Sequence, residues 1–138
     1  MKRNAFRALS VAAGILLMTL PARAHHSFAA AFDIDKPVAV TGVVTEVKLM
    51  NPHSFFWLDV TEPDGRVTRW GFEGSTPTSL MRSGYKRDAV KVGDKVTVKG
   101  SHARDASANM GAAREIVMQN GQSFIVGPKG NEPDANTR

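Results

Sequence analysis

From Val38 onward, apolar and polar residues follow the two-residue period of β-structure. Val38, Val40, Thr41, Val43, Val44, Thr45 and Val47 make a first strand rich in β-branched residues, with Gly42 placed for a bulge or sharp bend. Asn51-Pro52 marks a turn. After it Phe56, Leu58 and Val60 alternate with Phe55, Trp57 and Asp59, and the first set predicts the buried face. Pro63-Asp64-Gly65 turns the chain into a third strand over 66–73, in which Trp70 and Phe72 face the core and Arg69 and Glu73 form a surface pair on the other side. Ser75 or Thr76 caps a short helix with Pro77 in its first turn, Leu80 and Met81 on its apolar side and Gly84 just past its end. Gly93-Asp94 leads into a fourth strand over 96–100, and a further strand spans about 113–118. Asn120-Gly121 predicts a tight hairpin into 123–126.

Three strands, a short helix and two or three more strands predict an all-β, mainly antiparallel fold. It is an OB-like small barrel of five to six strands with one short helix between strands three and four. A small antiparallel sandwich is the alternative. The barrel domain covers 38–126, and an N-terminal arm over 25–37, helical or extended, precedes it. The tail over 127–138 has no apolar residue beyond one Ala and is expected to be disordered.

The first 24 residues follow a different pattern. Lys2, Arg3 and Arg7 precede an apolar run from Ala8 to Leu20, Pro21 breaks it, and Ala22-Arg23-Ala24 supplies a small-residue cleavage site. This is the layout of a secretory signal peptide, so 1–24 is expected to be removed and the mature chain to be periplasmic or secreted, without stable membrane insertion. The 138-residue chain carries 18 Lys and Arg against 13 Asp and Glu, a formal net charge of +5. Cleavage removes four basic residues and no acid, leaving 14 against 13 and a net charge of +1. A nearly balanced exported chain is not built to oppose many phosphates, so nucleic acid is not an expected partner. The absence of Cys excludes disulfides, zinc-thiolate sites and redox dithiols, and leaves stability to a packed core.

Candidate chemistry then rests on four His: His25, His26, His53 and His102. Cleavage after Ala24 gives His25 a free α-amine beside its imidazole, two nitrogens that can chelate one metal as in the histidine brace of some exported copper proteins. His26 offers the alternative of amine, amide and imidazole in succession. Nitrogen ligands favour copper(II) or nickel(II), and copper(II) is the candidate cofactor. His53 lies between the first two strands and His102 directly after the fourth, in loops that flank the binding face of an OB barrel. An extended arm of about 12 residues spans well over 30 Å and can fold back to that mouth. Against each candidate stands the plainer reading of a solvated imidazole, and any exposed amino-terminal His takes up copper weakly.

A second surface consists of Phe55 and Trp57 with Arg69 and Glu73, a platform for a peptide, glycan or envelope protein unless the arm or the C-terminal hairpin covers it. No nucleophile elbow, H-E-x-x-H, acidic metal cluster or Gly-rich phosphate loop is present. Binding without turnover is therefore expected, and a mono-copper oxidoreductase is the remote alternative.

Ala24-His25-His26-Ser27-Phe28, Asn51-Pro52-His53, Trp70 with Glu73, Leu80 with Gly84, and Gly93-Asp94-Lys95-Val96 occur here in that order. Together they resemble a family of small exported bacterial proteins classed as a domain of unknown function, over nearly the whole mature chain from His25 to about Phe124. The resemblance implies an exported, compact, mostly β protein and supplies no activity, substrate or cofactor. Its recurring positions match His25, His26, Asn51, Pro52, His53, Trp70 and Glu73, with His102 outside the pattern. It thus favours a site built from the amino terminus and His53.

Overall fold

A computed structural model describes residues 28–128. The leader, His25, His26 and the tail from residue 129 lie outside the described residues. The chain runs through α1 (Phe28–Ala31), β1 (Phe32–Lys48), β2 (Ser54–Thr61), β3 (Val67–Gly74), α2 (Pro77–Arg82), β4 (Lys95–Ala103), β5 (Met110–Met118) and β6 (Ser123–Ile125). β1 therefore begins six residues before the expected Val38, and among the described residues of the arm only Phe28–Ala31 are helical.

β1 pairs antiparallel with β2 and β4, β4 with β5 and β5 with β6, while β3 lies antiparallel to β2 and parallel to β5. Hydrogen bonds thus close a ring through five strands, an OB-like barrel of irregular outline with α2 between β3 and β4. The length of β1 makes the closure possible. Its residues 32–43 face β4 and 43–48 face β2. The bulge in the β1–β2 ladder falls between Val44 and Glu46, and not at Gly42. Gly42 instead admits a close approach, since a Cβ there would lie 2.6 Å from the Asp59 carbonyl oxygen.

The alternation of β2 and β3 is realised as read, with Phe56, Leu58 and Phe72 fully buried. Trp70 is only half-buried and stacks on Phe72 at 5.8 Å between ring centroids. In α2, Leu80 enters the core whereas Met81 stays 39% exposed, because adjacent helical positions diverge by about 100°. A satellite cluster of Phe32, Ala103 and Ala112 with Ala31, Ala108 and Met110 packs on the outer face of the sheet, and the Arg104 amide donates to the Ala31 carbonyl at 2.9 Å.

Two buried polar groups carry testable consequences. Ser54 is fully buried and its hydroxyl has no hydrogen-bond partner among the described residues. An unsatisfied buried hydroxyl costs about 1–3 kcal/mol, so Ser54→Ala is expected to raise unfolding stability by roughly 1 kcal/mol in a denaturant titration. A loss of stability would show that the hydroxyl has a role. Tyr85, the only tyrosine of the chain, is 3% exposed between the rings of Phe56 and Phe124. Burial pushes its phenol up to about 12. Because the folded value is raised, its contribution to stability is complete below about pH 10 and is lost as pH rises through about 12. Phenolate absorbance of the native protein should therefore titrate near pH 12, and a midpoint near 10 would mean that the ring is solvated.

Candidate functional site

The register of the β2–β3 hairpin builds the site. Thr61 pairs with Val67 around the tight turn at Gly65, whose φ is +83°, and six residues further along each strand Phe55 meets Glu73. Glu73 thereby stands beside the residue that enters β2, His53. His53 Nδ1 lies 2.6 Å from Glu73 Oε1, with the two side chains 38% and 25% exposed. An ionised Glu73 accepts a hydrogen bond from Nδ1–H and leaves Nε2 with no hydrogen-bond partner among the described residues. Burial raises the Glu73 carboxyl above its usual value, while the charge and hydrogen bond of His53 pull the other way.

Arg69 does not pair with Glu73 as expected. Its Nη2 donates to Glu46 Oε2 at 2.8 Å, and its guanidinium lies 4.9 Å from the centroid of the Trp57 ring. Glu46 also meets Lys48 Nζ at 2.8 Å, and the two cations, Lys48 first, hold its carboxyl below the ordinary value. Residues four apart on a strand share a face but sit about 13 Å from each other, so cross-strand neighbours reach each side chain first.

Phe55 and Trp57 point away from the core, yet both are half-buried. Trp57 lies over Gly71, where a Cβ would come within 2.5 Å of both its ring and the Met110 sulfur. The glycine leaves the space that the indole fills, and Arg69 covers its outer face. The platform is thus covered by its own sheet, and through Met110 it adjoins the satellite cluster under α1.

His102 lies within β4 and not after it. Ser101 pairs with Ala112, which also pairs with Glu73, whereas His102 pairs with Gly111, which meets the core residue Phe72. Alternation therefore puts His102 on the opposite face of the sheet from Glu73. Its ring meets the edge of Trp70 at 5.5 Å, and its Nδ1 lies 2.8 Å from the Ala103 carbonyl oxygen. The folded barrel does not bring His102 together with His53. Among the described residues no group of three or more His, Cys, Asp or Glu is arranged to hold a metal. His53 and Glu73 are what the barrel itself offers, and His25 and His26 lie outside the described residues.

Reading the motifs singly missed that Glu73 of Trp70-x-x-Glu73 meets His53 of Asn51-Pro52-His53. The signal was present in the hairpin, since a tight turn centred near Asp64 mirrors residue 55 onto 73.

Residues 13–113 match the model of a family of unknown function, DUF6152, a span that contains both motifs of the His53–Glu73 pair. No curated protein and no solved structure matches the chain. Among the described residues no helix is long and apolar enough to cross a membrane.

Proposed function

Since the chain belongs to DUF6152, a family of unknown function, we propose a function from its site: an exported, periplasmic protein that binds a divalent metal ion, copper(II) first, without turning it over. His53 Nε2 is the ligand that the barrel supplies, and removal of the leader frees His25 and His26 to supply the remaining nitrogens. The observation that carries this reading is the 2.6 Å contact of His53 Nδ1 with Glu73. A carboxylate on the far nitrogen of a metal-binding imidazole fixes its tautomer and orientation and raises its basicity, and here it leaves Nε2 for the metal. Glu73 is thus a positioning residue and not a ligand. Imidazole and amine donors with no thiolate suit copper(II) better than hard cations.

The test is copper titration of mature protein purified from the periplasm, its amino terminus verified by mass spectrometry, beside His53→Ala. Tight one-to-one binding that depends on His53 is expected. Binding indifferent to His53 would reduce uptake to the generic affinity of an amino-terminal His and overturn the reading.

A further inference from the structure

Between α2 and the segment that begins with β6 lies a cleft of about 140 Å3, separate from His53, Glu73 and Trp57. Ser75, Ser79, Leu80 and Ser83 line it from α2 and its flanks, and Ile125 and Val126 from the other segment. None of the lining side chains carries a charge, so an ion entering it would lose hydration without a counter-charge in return.

The hydroxyls of the cleft retain hydrogen-bonding capacity. Thr76 Oγ1 donates to Ser79 Oγ at 3.1 Å, which leaves the hydrogen of Ser79 to be donated elsewhere. Ser83 Oγ donates to the Ser79 carbonyl at 3.1 Å and keeps its own lone pairs. Ser75 is 6% exposed, and although its backbone amide donates to the Val126 carbonyl at 2.7 Å, its hydroxyl has no partner among the described residues. A nearly buried, unengaged hydroxyl lining a cavity is matched by a ligand that brings its own acceptor. At about 30 Å3 of liquid volume per water, the space suits a group of four or five heavy atoms.

We propose that this cleft binds the acetamido group of a neutral N-acetylated ligand. The carbonyl oxygen accepts from the Ser75 and Ser79 hydroxyls, the N–H donates to Ser83 Oγ, and the methyl lies against Ile125. N-acetylated sugars and acetylated peptide amines share this chemistry. The inference is independent of the metal reading, because no residue of the His53 site takes part.

The experiment is a titration of isotope-labelled mature protein followed by amide chemical shifts, with N-acetylglucosamine, N-acetylglycine amide and glucose as probes. Saturable shifts at the lining residues are expected with the two acetylated probes and none with glucose, and the tighter acetylated probe identifies the source. Ser79→Val should weaken binding at least about fivefold, the worth of one hydrogen bond. Ser83→Ala, which leaves the Thr76 cap untouched, is the second variant if Ser79→Val disturbs α2. His53→Ala should bind the acetylated probes as the parent does. An equal response to glucose, or no saturable shift with either acetylated probe, would overturn the proposal.

Discussion

His53→Ala is expected to weaken copper(II) binding to the mature protein by at least about tenfold, or roughly 1.4 kcal/mol. The variant removes the imidazole whose Nδ1 is held by the Glu73 carboxylate and whose Nε2 has no hydrogen-bond partner among the described residues. Glu73→Gln probes the same site through its support. Glutamine keeps the shape but replaces the charge, so the imidazole loses its charged acceptor, and losses of about 10- to 100-fold are typical when such outer partners are changed. Two readouts separate this role from a structural one. The electron paramagnetic resonance spectrum of bound copper should change its nitrogen couplings in His53→Ala and keep them, with weaker binding, in Glu73→Gln. The fold should also tolerate Glu73→Gln at neutral pH, because burial already opposes the ionised carboxyl. Equal copper affinity in all three proteins would leave the His53–Glu73 contact as an ordinary surface pair.

Phe72→Ala is expected to be the most destabilising of the simple truncations, at about 3–5 kcal/mol in denaturant unfolding. Phe72 is fully buried, stacks on Trp70 at 5.8 Å and leans on Gly111, where a Cβ would lie 2.8 Å from its ring. The residue also sits where β3 meets β5, the pairing that closes the ring. Its loss opens a cavity at the closure, and since domains of this size hold only about 5–15 kcal/mol, a large part of the folded population is at stake. A cost below about 1.5 kcal/mol would mean that the ring closes without this contact.

The same two regions show how far local pattern reaches. Alternation in β2 and β3 marked Phe56, Leu58 and Phe72 as core, because a strand buried on one face must repeat every two residues. The turns at Gly65, Gly93 and Gly121 were legible because each needs a positive φ, here +83°, +95° and +83°, that glycine adopts without strain. From these signals followed the order of elements along the chain and the OB-like class. The start of β1 was not legible. Phe32 to Pro37 includes Asp33, Asp35, Lys36 and Pro37, poor strand formers, and the segment is held to β4 by the pairing of Phe32, Asp33 and Pro37 across an irregularity between the last two.

Site chemistry divides along the same line. The sequence by itself determined which side chains have chemistry to offer, namely four His, two exposed-face aromatics and the acids and bases near them. It also determined, through the mirror symmetry of a tight hairpin, that residue 73 must face residue 55. Only the tertiary structure decided how they combine. Arg69 went to Glu46 on β1 because β1 lies against β2 and brings that carboxylate within 2.8 Å, whereas Glu73 was left to His53. Trp57 became half-buried because Gly71 made room for it and Met110 came alongside from β5. His102 moved to the other face because β4 continues through it, and one residue of strand reverses the direction of a side chain. Local pattern sets the period and the turns, while contacts between β1, β3 and β5 depend on ring closure, which brings together residues distant along the chain.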